Sequence, residues 1–202
     1  MATTQAEPSS SGRTGPNGPR VAIFGGSFNP PHVAHVLAAV YVLSTEPIDE
    51  VLVVPVYKHP FSKELASFED RLEMCRRAFA WIPNVYISPV ERDLEGESLT
   101  LRTLEHLASL HPEWSMRLLI GADVVNDVPK WHRFDRISQI APPIIMGRAG
   151  VTAEGVPEAL LPQVSSTEVR DALARGDMER LEKLVPRSVL SFIHERGLYR
   201  RS

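Results

Sequence analysis

The chain has 202 residues, 43% of them hydrophobic and 23% charged, with a formal net charge of −3. That length suits one domain with enough apolar material for a real core. The slight acidic balance argues against a nucleic acid or an anionic membrane as partner, since both draw most of their affinity from a basic excess. One local cationic pocket for a nucleotide remains compatible with it.

A single cysteine, Cys75, rules out an intramolecular disulfide. It falls within a helical pattern and reads as an inert half-buried thiol. No apolar stretch approaches the ~20 residues of a membrane span. Residues 1–19 are rich in Ser, Thr, Gly and Pro and carry no apolar core of a secretion signal. They predict a disordered tail before a single domain over 20–202, in a cytoplasmic protein.

In chain order, Val21-Ala22-Ile23-Phe24 is a short apolar run closed by Gly25-Gly26, the pattern of a buried strand and tight turn. A helix is predicted from about His32 to Thr45, and a second buried strand from Val51 to Pro55. Ser67, with Asp70 three residues on, predicts a capped helix start. Val85 to Ser88 is a strand candidate, and Leu101, Leu104 and Leu107 set a helical period across Leu99 to Leu110. Arg117 to Ile120 and Pro143 to Met146 predict two more strands, the first ended by Gly121. From Ser165 the chain reads as helical: Ser165 and Glu168 predict a capping box, Gly176 a stop, Pro186 a new start and Gly197 an end. Strands alternating with helices imply an α/β fold, a doubly wound parallel sheet with a helical C-terminal part. Residues 148–163 carry little readable pattern.

The segment richest in chemistry is Phe24-Gly25-Gly26-Ser27-Phe28-Asn29-Pro30-Pro31-His32-Val33-Ala34-His35. It follows the first strand and opens a helix, the place where open α/β sheets bind ligands. Glycines let backbone N–H groups approach phosphate oxygens, and a helix N-terminus favours an anion. His32 and His35, three apart, share one helix face and can both meet a triphosphate. Blander readings stay open on these residues alone: an ordinary strand-to-helix turn, surface histidines, or half of a zinc site. The zinc-protease spacing, the dinucleotide fingerprint and the Gly-Lys-Ser/Thr phosphate loop are all missing.

This segment resembles the Gly-Gly-Ser/Thr-Phe-(Asp/Asn)-Pro-x-His-x-Gly-His signature of the nucleotidyltransferase superfamily, especially the nicotinate and nicotinamide mononucleotide adenylyltransferases. Val164-Ser165-Ser166-Thr167-Glu168-Val169-Arg170 is similar to the family's Ile-Ser-Ser-Thr-x-x-Arg. Gly121-Ala122-Asp123 is similar to its Gly-x-Asp, Lys130-Trp131-His132-Arg133 to its Trp-His stretch, and Ile193 to Tyr199 to its C-terminal end. There are departures. Ala34 replaces the usual Gly. Lys58-His59-Pro60-Phe61-Ser62-Lys63 replaces a Pro-Pro-His-Lys stretch, and Ser98-Leu99-Thr100 a Ser-Tyr-Thr, both on the family's acceptor side.

The resemblance implies a Rossmann-like nucleotidyltransferase that moves AMP from ATP to nicotinate mononucleotide, giving deamido-NAD and pyrophosphate. It implies that Gly25, Gly26, Ser27, Phe28, Ser166, Thr167 and Arg170 bind ATP, with His32, His35 and Arg170 acting in catalysis. The mononucleotide would meet Asn29, Lys63, Thr100, Gly121, Asp123 and Trp131. Magnesium would arrive with the ATP phosphates, with no protein metal ligand named. The alternatives are adenylyl or cytidylyl transfer to another phosphate acceptor, or a non-catalytic adenine-nucleotide sensor on the same fold. Acid or amide acceptor, and whether the chain forms a homo-oligomer, stay open from the sequence.

Overall fold

The computed structural model describes residues 18–58, 65–96, 99–122, 131, 133–147 and 161–200. The predicted tail is thereby outside the described residues up to position 17. Most of 148–163 is outside them too, as are the site candidates Lys63 and Asp123. Pro19, read from sequence as tail, accepts a hydrogen bond from Ser115 N at 3.0 Å. Gly18 beside it has φ +70°, and a Cβ there would lie 2.0 Å from the Glu113 carbonyl. Sheet pairing therefore begins just before the predicted first strand.

Five strands form the sheet: β1 (Arg20–Gly26), β2 (Glu50–Pro55), β3 (Val85–Ile87), β4 (Ser115–Gly121) and β5 (Pro143–Met146). All ladders are parallel, in the order β3-β2-β1-β4-β5. The helices are α1 (Val33–Thr45), α2 (Phe68–Phe79), α3 (Val90–Leu94), α4 (Thr100–Leu110), α5 (Phe134–Ile140), α6 (Ser166–Arg175), α7 (Met178–Leu184) and α8 (Arg187–Arg196).

Strand side chains alternate between two cores, because successive Cβ atoms point to opposite faces. Ala22, Phe24, Val51, Val53 and Leu119 pack with α1, α2 and the C-terminal helices. Val21, Ile23, Leu52, Val54, Leu118 and Ile120 pack with α4 and α5. A sheet covered on both faces explains why its central strands read as unbroken apolar runs.

Helix ends follow the predicted caps. Ser67 Oγ accepts from Asp70 N at 3.1 Å, and Gly176 and Gly197 end α6 and α8 with left-handed φ of 69° and 63°. The predicted box at α6 is half formed. Ser165 Oγ accepts from Glu168 N at 3.1 Å, while the Glu168 carboxylate pairs with Arg180 of α7. That contact lowers the Glu168 pKa, chiefly through the hydrogen bond from Arg180. Cys75 is fully buried, and burial pushes its thiol far up, so it is no nucleophile.

The winding direction changes at β1, which has β2 on one side and β4 on the other. β1 pairs with β2 as far as Gly26↔Pro55, but with β4 only as far as Ile23↔Leu118. The carboxyl ends of β1 and β4 thus part above Ile23. This opens a crevice at the switch point of the sheet, where such folds take ligands.

Candidate active site

The loop from Gly25 to His32 lines that crevice, and its conformation is set by side chains packed beneath it. Phe28 has φ 45°, a left-handed value uncommon for a bulky residue. Its ring is 1% exposed and lies edge-on to Phe24 at 5.4 Å and 4.9 Å from His35. Burying such a ring contributes roughly 1.5–3 kcal/mol, enough to offset roughly 1–3 kcal/mol of backbone strain. The same fold-back favours glycine at 26, since a Cβ there would press on the Phe28 ring at 3.2 Å. Gly25 is different: a Cβ on it would meet nothing within 4 Å, because it faces the open crevice.

Four carbonyl oxygens of the loop are drawn onto protein donors. Gly26 O accepts from Val56 N at 2.9 Å and Ser27 O from Arg71 Nη1 at 3.0 Å. Asn29 O accepts from Arg170 Nη1 at 2.8 Å, and Pro30 O from Ser166 Oγ at 2.9 Å. A planar trans peptide sets its N–H opposite its C=O. The Ser27 and Phe28 amides therefore face away from the donors that hold Gly26 O and Ser27 O. The loop turns its anion-repelling oxygens into the protein and those two amides the other way.

His32 is the N-cap of α1 and is 4% exposed; His35 sits three residues on and is half-buried. Their rings stack at 3.8 Å with an interplanar angle of 26°. His35 Nδ1 accepts the backbone N–H of His32 at 3.1 Å. An accepting Nδ1 carries no proton, which assigns the ring hydrogen to Nε2 and makes His35 a donor at that atom.

The second motif reaches the same place across the sheet top. Ser166 and Arg170 bind the loop carbonyls named above, and Arg170 Nη2 donates to Thr167 Oγ1 at 3.2 Å. The N-termini of α1 and α6 are thus neighbours, and each brings the positive end of a helix dipole. Glu168 is the acid in the first turn of α6, and Arg180 offsets its charge.

Asn29 is 2% exposed, and its Oδ1 accepts from Ala66 N at 3.0 Å and Tyr199 OH at 2.7 Å. Thr100 opens α4 and is half-buried, and Gly121 ends β4 opposite the loop across the crevice. Trp131 is half-buried against the second core, edge-on to Phe134 at 6.1 Å. Lys58 is exposed at the end of the segment after β2, where Glu91 Oε2 accepts from Tyr57 N at 3.0 Å. Glu91 Oε1 also accepts from Thr103 Oγ1 at 3.2 Å, so one buried carboxylate ties that segment to α4.

Sequence reasoning missed Arg71, Glu91 and the contact made by Tyr199. Arg71 did leave a trace: it shares the apolar stripe of α2 with Met74, Cys75 and Ala78, where an arginine is out of place.

A family model described as cytidylyltransferase-like matches residues 23–172, which span the loop, the crevice strands and the Arg170 motif. The chain belongs to the cytidylyltransferase-like family. A family member named probable nicotinate-nucleotide adenylyltransferase from Anaeromyxobacter sp. (strain K) is 47% identical over 187 residues, covering 91% of this chain and 98% of its own. One of the same name from Myxococcus xanthus (strain DK1622) is 39% identical over 184 residues, covering 89% and 94%. Among solved structures, the nicotinic acid mononucleotide adenylyltransferase of Plasmodium falciparum complexed with NaAD superposes with a TM-score of 0.77. It is 21% identical and covers 90% of this chain and 97% of that one, a likeness of fold. No helix of this family member is long and apolar enough to cross a membrane, among the described residues.

Proposed function

We infer that this chain is a nucleotidyltransferase that moves the adenylyl group of ATP to nicotinate mononucleotide, releasing pyrophosphate and deamido-NAD. The observation that carries this reading is the loop from Gly25 to Pro30, with its carbonyls held inward and two helix N-termini beside it. A polyanion is the ligand such an arrangement suits. The full-length likeness to relatives named for this activity supports the acceptor.

In the reaction, a phosphate oxygen of the mononucleotide attacks the α-phosphorus of ATP. The new P–O bond forms as the bond to the bridging oxygen breaks, and pyrophosphate takes the electron pair. Little covalent help is needed; positioning and charge stabilisation carry the catalysis. The Ser27 and Phe28 amides and the α1 and α6 N-termini receive the triphosphate. His35 donates from Nε2 to a phosphate oxygen as charge builds on the leaving group, and His32 packs its ring against it. Arg170 holds the loop through Asn29 O and offers its remaining N–H groups to the phosphates. Gly25 leaves room for the nucleotide to approach the strand end. Gly121, Thr100 and Trp131 face the mononucleotide from the β4 side, with Asp123 assigned there from the Gly-x-Asp motif and Lys63 from its place in the stretch after β2.

Magnesium would arrive with the ATP phosphates and neutralise part of their charge. The protein is assigned to the cytoplasm and allowed to form a homo-oligomer.

The test is pyrophosphate release from ATP and magnesium with a panel of acceptors. Nicotinate mononucleotide should be used best. Release only with another sugar phosphate would move the activity to a different acceptor. ATP binding without release on any acceptor would make the protein a nucleotide sensor.

A further inference from the structure

The N–H groups of a phosphate loop are useful only if something fixes the peptides that carry them. For the Ser27–Phe28 peptide that something is Arg71, 44 residues away on α2. Arg71 is 1% exposed, the largest of the fully buried side chains. Its Nη1 donates to Ser27 O at 3.0 Å and its Nε to Ala66 O at 3.0 Å, while Phe68 lies beneath the guanidinium at 5.6 Å. Among the described residues no carboxylate hydrogen-bonds to it, and Glu91 favours its charge only through space. Burying a charge this deeply is costly, and two backbone carbonyls repay only part of it. A methionine of similar volume would fill the space without that cost, so packing alone does not account for an arginine here.

We propose that Arg71 is a positioning residue for phosphate binding: by holding Ser27 O from below, it aims the Phe28 amide at the phosphates in the crevice and sets a fixed positive charge behind the loop. This rests on the reading of the loop as the triphosphate site and adds a residue that neither sequence motif contains. The guanidinium's rigid fork is what grips two carbonyls at once, a geometry lysine cannot reproduce.

The test uses inorganic tripolyphosphate with magnesium, so that phosphate binding is read apart from the acceptor. In the wild-type protein labelled with nitrogen-15, tripolyphosphate should shift the Phe28 amide resonance strongly. Saturating binding that leaves this resonance unmoved overturns the proposal without any variant. Arg71→Lys keeps the charge and loses the fork. It should bind tripolyphosphate within about threefold of wild type, yet lose about tenfold in kcat with little change in KM for ATP. Arg71→Met loses both, and should bind tripolyphosphate about tenfold or more weakly. A folded Arg71→Lys protein with wild-type kcat, or Arg71→Met with wild-type tripolyphosphate affinity, overturns the proposal. If Arg71→Met does not fold, the lysine variant and the amide shift decide. Tripolyphosphate binding without turnover of nicotinate mononucleotide would sink the acceptor assignment and leave the role of Arg71 intact.

Discussion

The hydroxyl of Tyr199 donates to Asn29 Oδ1 at 2.7 Å, joining the C-terminal turn to the loop after β1 across 170 residues of sequence. Tyr199 follows the Gly197 stop of α8, with φ 60° of its own. Burial pushes its phenol pKa up, and Arg170 and then Arg71 offset part of that shift, so the ring lies near both cations of the loop. α8 is fastened to α2 beside it: Arg196 Nε meets Asp70 Oδ1 at 3.2 Å, and Ser188 Oγ donates to Arg77 O at 3.0 Å. The last turn of the chain therefore buttresses the residues that make the site.

Removing that hydroxyl alone tests the buttress. Tyr199→Phe keeps the ring but leaves Asn29 Oδ1 with one fewer donor, a loss of about 1 kcal/mol. For a chain of this size that is a melting temperature lower by about 2–4 °C. Differential scanning calorimetry reads it directly. An unchanged melting temperature would mean that the contact contributes nothing in solution.

His35 is expected to matter for rate far more than for stability. Its Nδ1 is engaged by His32 N, so what it offers a ligand is the Nε2 hydrogen. His35→Ala should lower kcat by about two to four orders of magnitude, as loss of a preorganised transition-state donor does. Binding of ATP, followed calorimetrically, should weaken much less. A variant with near-normal turnover would reduce this histidine to a cap of α1.

Much of this site was legible because both of its motifs are local. Gly25-Gly26 before a helix, the His32 and His35 spacing, and the Ser165 cap each declare themselves within a dozen residues. β5 runs from Pro143 to Met146 as the apolar pattern predicts. The misses are long-range or short. Arg71 and Tyr199 act through contacts 44 and 170 residues distant, which no local period reports. Helix α3 spans five residues, too few to set a period, and is held by Glu91 reaching Tyr57 N and Thr103. Asn29 is assigned to the mononucleotide from the motif, and its contacts to Ala66 and Tyr199 are again long-range.

Glu50, at the opposite end of the sheet, makes stability depend on pH. It is 8% exposed, and its Oε2 has no hydrogen-bond partner among the described residues. Burial raises its pKa, and the neighbouring Asp49 raises it further. A raised carboxyl pKa means the folded state holds the proton more tightly than the unfolded chain does. Stability from this group is therefore fullest below the unfolded value and falls as pH rises through the folded one. Glu50→Gln should be more stable than wild type at pH 8, with the gain closing towards about pH 4, where both states are protonated. Urea melts of the two proteins across that range would show it. A gap that is constant with pH would place the effect in packing instead.

The choice of acceptor turns on one functional group. A nicotinate ring carries a carboxylate that N–H groups or a cation can meet, whereas nicotinamide needs both a donor and an acceptor. In the stretch that replaces the family's acceptor-side motif this chain has Lys58, exposed, at the end of a segment that Glu91 fixes through Tyr57 N. His59 and Lys63 follow in sequence, outside the described residues. Trp131 is half-buried against the second core. Positive charge with a flat aromatic surface favours the acid, in keeping with the names of the relatives. In a competition between equal concentrations of nicotinate and nicotinamide mononucleotides, with limiting ATP, deamido-NAD should exceed NAD by about tenfold or more. That ratio corresponds to about 1.4 kcal/mol of transition-state discrimination, within reach of a single desolvated polar group. The ratio should fall as salt is raised if exposed Lys58 contributes, since such a charge is screened over about 10 Å at 0.1 M. Equal yields of the two products would remove the carboxylate from the recognition, and an excess of NAD would reverse the assignment to the amide.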